Sequence, residues 1–377
     1  MHVGMVCYAS VGGSGVVATE LAKALADRGH DVHLISSEPP FRWQGGVPRL
    51  HFHRVTVPSY PLFREPQYLL ALATTIAHIS DEQRLDIVHA HYAVPHATAA
   101  YLAQQMLASA ARPRQPKTVT TLHGTDITLV GSDRSYAWAV GFSIERSDIV
   151  TAVSQSLKES TISSLKIHHE IDVIPNFLDC VEYQRRFDPK LRAQLAPAGT
   201  EALVVHMSNF RPVKRVAAVI DVFRLIRREV SARLLLVGDG PDRSAVERRV
   251  EEHGLTEHVV FVGEERDPLR WLSVSDLFLL PSAQESFGLA ALEAMACEVP
   301  VISSNVGGLP EIVRDDVTGY ATMPDALDEM AERALQLIRD PEGRRAMGRA
   351  AAEMVRTHYC VDRIVPLYEA AYERAIT

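Results

Sequence analysis

The sequence is poor in the features that mark several large functional classes. Only four cysteines occur in 377 residues, at Cys7, Cys180, Cys297 and Cys360, with no C-x-x-C pair and no histidine at ligand spacing. Such scatter predicts neither a disulfide framework nor a zinc site. Each thiol reads instead as a small buried hydrophobe suited to a reducing cytoplasm. No apolar run approaches the roughly 20 residues needed to span a bilayer. The segment Met1–Cys7 has no basic n-region and reads as a first strand, not an export signal. Basic residues are outnumbered, 39 Lys+Arg against 47 Asp+Glu for a net charge of −8. A nucleic-acid footprint needs clustered excess Lys and Arg, so the balance argues against a general polyanion binder while leaving room for a small local basic pocket. Asp-x-Asp is absent, as are the six-residue dinucleotide fingerprint, a Walker loop, H-E-x-x-H and a Ser-His-Asp elbow.

What remains is an ordinary globular composition, 47% hydrophobic and 23% charged, of a length that favours two domains. Short β-branched runs alternate with helical patterns. The predicted strands are Val3–Tyr8, Asp31–Ser36, Asp86–Ala90, Thr118–Leu122, Ile149–Val153 and Ile171–Ile174. Leu203–Met207, Arg233–Val237, Val259–Val262, Leu277–Leu280 and Val299–Ser303 follow them. Continuous apolar strands between helices imply parallel sheets covered on both faces. A helix from about Ser14 to Arg28 opens the chain, and a second one, about Lys214 to Glu229, follows the strand at 203. The pattern thus restarts. Asp179–Gly199, with its charges and prolines, reads as the linker, and the amphipathic segment 361–377 as a helix crossing back. The expected fold class is α/β, two doubly wound Rossmann-like domains facing across a cleft, 1–180 plus 361–377 and 181–360. Ligands in such sheets sit beyond the carboxyl ends of the strands.

Candidate chemistry sits at those strand ends. Gly12-Gly13-Ser14-Gly15 opens a helix, where amides favour an anion, although a tight turn explains it equally. Ser208–Arg215 places Arg211 and Lys214 after a strand, suited to a diphosphate. Cations at a helix start oppose the macrodipole, and such a local conflict marks function more often than a solvated turn. In Glu285-Ser286-Phe287-Gly288-Leu289-Ala290-Ala291-Leu292-Glu293 the helix is apolar nearly all round. A carboxylate in its middle needs hydrogen-bond donors, which ribose hydroxyls or a buried Arg would supply. His123 in Thr121–Asp126, Gly238 in Gly238–Pro241, Tyr92 and Asn176 are further strand-end residues. A lone histidine is more often structural, Gly238–Pro241 by itself is only a turn, and Tyr92 and Asn176 share that ambiguity.

The E-x7-E element Glu285…Glu293, the Arg211…Lys214 pair and the Gly12–Gly15 loop together resemble family-four retaining glycosyltransferases of the GT-B fold. The stretches His91–Ala97, Thr121–Thr128, Pro175–Phe177 and Ser208–Arg215 resemble the branch that joins N-acetylglucosamine from UDP-GlcNAc to L-malate in bacillithiol synthesis. The resemblance implies catalytic roles for His123, Arg211, Lys214 and Glu285. It implies donor binding by Gly13, Ser14, Gly15, Gly238, Ser286, Phe287, Gly288, Leu289 and Glu293, and acceptor binding by Ser14, Tyr92, Thr121, Asn176 and Arg211. It further implies front-face substitution with no metal and no cofactor. The implied partners are small-molecule substrates alone, without nucleic acid or stable membrane association, in a cytoplasmic protein compatible with a homo-oligomer. One departure stands out. Gly141 occupies the place where the branch leads one to expect an acceptor-binding Arg, leaving Arg134 or Arg146 as substitutes. A different hydroxy acid, a polyol or a lipid is therefore the alternative acceptor. Residues 1–175 carry 14 basic and 15 acidic side chains, which disfavours a lipid. A UDP-sugar epimerase, a nucleotide-dependent oxidoreductase and a non-catalytic nucleotide-sugar binder are the readings from other classes.

Overall fold

The computed structural model describes residues 1–9, 12–43, 45–58, 67–127, 131, 133 and 135–377. They form two compact units, one of Met1–Asn176 with Asp362–Thr377, the other of Phe177–Val361.

The first unit is built on β1 (His2–Val6), β2 (Asp31–Ser36), β3 (Leu50–Arg54), β4 (Ile87–His91), β5 (Lys117–Leu122), β6 (Ile149–Ala152) and β7 (Ile171–Val173). All pair in parallel, in the order β3-β2-β1-β4-β5-β6-β7. The reversal of order beside β1 makes the β1 and β4 ends the switch point where an open α/β sheet receives ligands. The first helix, Gly13–Asp27, buries Val17, Leu21 and Leu25. The helix Val361–Ile376 completes this unit, with Tyr368 and Tyr372 fully buried. It is tied down by Arg28 donating to Glu369 at 2.7 Å and by a 2.8 Å contact between Tyr372 Oη and His89 Nδ1.

The second unit repeats the plan with β8 (Ala202–Met207), β9 (Ala232–Val237), β10 (Val259–Gly263), β11 (Leu277–Leu280), β12 (Val301–Ser304) and β13 (Gly319–Thr322), ordered β10-β9-β8-β11-β12-β13. Its core is anchored by the helix Val216–Glu229, whose Val219, Ile220, Phe223 and Ile226 are fully buried with Leu234, Leu236 and Leu279.

Two strands were not legible in the sequence. β3 (LHFHR) and β13 (GYAT) lie at sheet edges. A strand there needs no continuous apolar run, which removes the signal. Asp179–Gly199 is no bare linker. It contains a helix, Pro189–Leu195, capped by Asp188, and Arg192 reaches Asp276 at 2.8 Å. The cysteine expectation is half overturned. Cys7 and Cys297 are free and buried, but Cys180 and Cys360 form a disulfide with Cα atoms 5.5 Å apart. The segments carrying them are 180 residues apart in sequence. They pair through Leu178 N–H to Tyr359 O and Val361 N–H to Leu178 O, each 2.9 Å. Nothing local in the sequence reports that pairing. Among the described residues no helix is long and apolar enough to cross a membrane.

Candidate active site

In the first unit the ends of β1, β4 and β5 bring together much of the sequence-predicted acceptor set. Gly13 is exposed, and a Cβ built there would meet no protein atom within 4 Å, so packing does not demand a glycine at this point. Gly15, two residues on, is buried. Ser14 Oγ accepts a 2.7 Å hydrogen bond from Tyr92 Oη. Tyr92 follows β4 at φ 91°, a strained conformation for a non-glycine residue. Its ring faces Tyr8 and His123 at centroid distances of 5.7 and 5.2 Å.

His123 belongs to a cluster of rings that sequence reasoning missed. His91 Nδ1 lies 2.8 Å from His123 Nε2, and His91 Nε2 lies 3.0 Å from Met5 Sδ. His96 Nδ1 bonds the His91 carbonyl. Since sulfur is a weak acceptor, the arrangement that satisfies every contact puts the His91 proton on Nε2. His123 then donates from Nε2, leaving its Nδ1 as an acceptor. Burial pushes His123 down to about 3, with the His96 charge adding to the effect. His123 is therefore a neutral hydrogen-bonding group near pH 7, and it adds no positive charge. The signal for the cluster lay in β4 itself, whose two histidines, His89 and His91, alternate within a fully buried strand. Asp126, also unassigned from sequence, is buried and accepts from Ala93 N–H at 3.1 Å and Gly124 N–H at 3.0 Å. It thereby joins the loops that carry Tyr92 and His123. Desolvation raises its carboxyl to about 6.

Thr121 stands apart from the set. Its hydroxyl is buried between His89 Nε2 and Thr151 Oγ1, each at 2.7 Å, and only its carbonyl turns toward Tyr92, accepting from that N–H at 2.9 Å. Asn176 is buried with a side-chain oxygen that has no partner among the described residues. Of the substitutes for the missing Arg, Arg146 stacks over Phe142 at 5.6 Å, and Arg134 lies outside the described residues.

In the second unit the loops after β8, β11 and β12 converge. The β8 loop leads into a 3-10 turn, Pro212–Lys214, before the helix Val216–Glu229. Lys214 Nζ donates to Glu285 Oε2 at 2.6 Å, the two side chains 20% and 13% exposed. Ser282 Oγ donates to the same oxygen at 3.3 Å. Arg211 is exposed and has no ion-pair partner among the described residues. Arg215, third in the basic run, turns to Asp325 at 2.8 Å.

Backbone fit fixes these loops. Gly238, at φ 116°, presses on the β8 loop so closely that a Cβ would lie 1.9 Å from Ser208 O. Gly307, at φ 55°, would likewise meet Glu285 O at 1.9 Å. Gly238 is thus required by packing, whatever it offers a ligand. The helix Leu289–Ala296 starts from Gly288 and carries Glu293, which is 5% exposed. A buried tyrosine is one partner of Glu293: Tyr183 Oη donates to Oε1 at 3.0 Å. Ser286 and Leu289 are half-buried, whereas the Phe287 ring packs edge-on against Tyr359 at 5.8 Å, so only its backbone faces outward. The second unit therefore presents a cation pair, a carboxylate fixing one of the cations, and a buried carboxylate on the apolar helix that follows its loop. That set is suited to a diphosphate joined to a polyhydroxylated group.

Comparison with known proteins agrees with this geometry. The family profile of glycosyl transferases group 1 matches residues 187–354, and that of glycosyltransferase family 4 matches residues 11–182. The chain is 45% identical over 372 residues to N-acetyl-alpha-D-glucosaminyl L-malate synthase of Bacillus anthracis, covering 99% of this chain and 96% of that one. Among solved structures, sucrose-phosphate synthase from Thermosynechococcus elongatus superimposes with a TM-score of 0.82 at 21% identity, over 99% of this chain and 98% of the other. Anabaena HepE in complex with UDP-glucose gives 0.78 at 20% identity, over 99% of each chain. The chain belongs to the family 4 glycosyltransferases and has their GT-B fold.

Proposed function

We propose that the protein transfers N-acetylglucosamine from UDP-GlcNAc to the hydroxyl of L-malate with retention of configuration, as the first step of bacillithiol biosynthesis in the cytoplasm. The observation that carries the substrates is the 45% identity, across 99% of the chain, to an enzyme named for that product. The sugar C1–O bond to the diphosphate breaks on the face where the malate oxygen bonds to C1. The malate proton passes to the departing phosphate oxygen. Arg211 and Lys214 neutralise the diphosphate, so this reading needs no metal. Glu293 holds the ribose and the free oxygen of Glu285 the sugar hydroxyls, while neutral His123 accepts from the sugar. Ser14, Tyr92 and Asn176 position malate.

Incubation with UDP-GlcNAc and L-malate in EDTA should release UDP and give an α-glycoside with the mass of GlcNAc-malate. Turnover with another hydroxy acid and none with malate would replace the acceptor while leaving the donor intact. Gly141 itself supplies no cation for the malate carboxylate, and a Cβ there would meet only Ile167 Cδ1, at 3.9 Å, so packing does not demand the glycine. Conversion of UDP-GlcNAc without any acceptor would instead indicate an epimerase.

Tyr92→Phe tests the acceptor side. It leaves Ser14 Oγ without its 2.7 Å donor. One lost neutral hydrogen bond is worth about 1 kcal/mol, so the malate KM should rise about fivefold. The KM for UDP-GlcNAc should stay within a factor of two, about the scatter of such comparisons. Initial-rate kinetics with each substrate varied in turn separates the two.

A further inference from the structure

Part of the nucleotide-side site is built from chain far outside the motifs. The turn 179–183 is closed by Tyr183 N–H donating to Asp179 O at 2.8 Å. Within it Asp179 Oδ1 accepts from Val181 N–H at 2.8 Å and Glu182 N–H at 3.2 Å. At one end the turn is bonded through Cys180 to Cys360, beside the paired segments at Leu178 and Val361. At its other end Tyr183, 6% exposed, gives its hydroxyl proton to Glu293 Oε1 at 3.0 Å.

We propose that Tyr183 is a positioning residue for the nucleotide site, holding the Glu293 carboxylate toward the ribose, and that the Cys180–Cys360 bridge fixes the turn that delivers Tyr183. Nucleotide affinity thereby depends on the redox state of the bridge. The inference rests on the reading of Glu293 as the ribose ligand.

The physical argument has two steps. A buried carboxylate on an apolar helix keeps one orientation better when one of its oxygens is held. A phenol does this at little entropic cost, since the Tyr183 ring is itself packed. Without the phenol, the carboxylate loses one of the contacts that fix it, and affinity falls. The turn, in turn, is held by its own short hydrogen bonds and by the disulfide. Cys180 is partly exposed, so an external dithiol reaches the bridge. The dithiol supplies two electrons and two protons, the Sγ–Sγ bond breaks to two thiols, and the dithiol closes to its own disulfide. The backbone pairing at Leu178 remains, so reduction loosens the turn without releasing it.

The test is UDP binding by calorimetric titration, with and without dithiothreitol, together with steady-state kinetics. Tyr183→Phe should weaken UDP about tenfold and raise the donor KM by the same factor, leaving kcat at saturating donor nearly unchanged. Dithiothreitol should weaken UDP roughly threefold in the wild type, about what a partial loss of positioning implies, and should have no further effect in Tyr183→Phe or Cys180→Ser. Normal UDP affinity in Tyr183→Phe, with weakened affinity in Glu293→Gln, overturns the positioning role and leaves the ribose reading intact. Normal affinity in both variants overturns the ribose reading itself. An equal dithiothreitol effect in Cys180→Ser, or none in wild type whose bridge is shown by thiol titration to be open, overturns the role of the disulfide.

Discussion

Lowering the pH from 7 to 5 should melt the first unit well before the second. The cause is the set of histidines buried around β4 and β5. Burial pushes His89 to about 3, His96 to about 4 and His123 to about 3, and His91 falls well below its usual value. A histidine depressed in the fold is neutral there, but titrates near 6.5 in the unfolded chain. Its contribution is fully present above pH 6.5 and is lost as pH falls toward the folded value. By pH 5 each such histidine forfeits about 2 kcal/mol. Asp126 acts in the opposite sense. With its carboxyl raised to about 6, ionisation costs stability, so acidification returns about 1 kcal/mol over the same window. For the three histidines with stated values the net loss is about 5 kcal/mol, comparable to the whole stability of an ordinary domain. The second unit has one buried histidine of this kind, His206 at about 4. Scanning calorimetry at pH 7.5, 6 and 5 should show the first unit's transition falling by roughly 10–20 °C while the other moves much less. Parallel movement of both transitions would assign the acid response to something other than this cluster.

The same cluster marks the boundary of what the sequence could convey. Strand ends carry the motifs, and a motif is a local pattern. Arg211, Lys214, Glu285 and Glu293 could therefore be placed on loops and on one apolar helix before any coordinates. Continuous apolar runs gave the buried strands for the same reason. β3 and β13 gave no such run, because LHFHR is mostly partly exposed and GYAT is short and opens on glycine. What escaped were relations between distant segments. Tyr183 meets Glu293 across 110 residues, His91 meets His123 across 32, and Cys180 meets Cys360 across 180. Composition and spacing hold no trace of these pairings, since each partner taken alone is an ordinary Tyr, His or Cys. Thr121 and Phe287 illustrate the converse. Their motifs place Thr121 at a strand end and Phe287 at the opening of the apolar helix, and in the structure the hydroxyl of the first and the ring of the second turn into the interior. Only their backbones remain toward the site.

Replacing Lys214 or Arg211 by alanine should remove most of the turnover. Charge accumulates on the diphosphate as the C1–O bond breaks, so groups that neutralise it act mainly in the transition state. The two side chains differ in how they are prepared for this. Lys214 is held at 2.6 Å from Glu285 Oε2 and is largely shielded from water, so its ammonium is preorganised. Arg211 is exposed, so in the proposed mechanism its guanidinium would have to adapt to the phosphate oxygens on binding. Deleting one preorganised donor of this type costs on the order of 10²–10³ in kcat, and Lys214→Ala should fall in that range. Arg211→Ala should lose less, about tenfold to a hundredfold, because an exposed cation has less preorganisation to forfeit. The double variant should fall short of the product of the two losses, since both groups act on one diphosphate. Glu285→Gln separates charge from position. It keeps a hydrogen-bond acceptor near Lys214 but frees the ammonium from its ion pair. If Glu285 acts mainly by fixing Lys214, Glu285→Gln should be milder than Lys214→Ala. If it acts mainly by gripping the sugar, it should instead raise the donor KM. Initial rates of UDP release, taken over a range of donor concentrations up to saturation, give kcat and donor KM for all four variants. Wild-type kcat in Lys214→Ala would mean that the leaving group is neutralised by other means, and the metal-free mechanism would have to be abandoned.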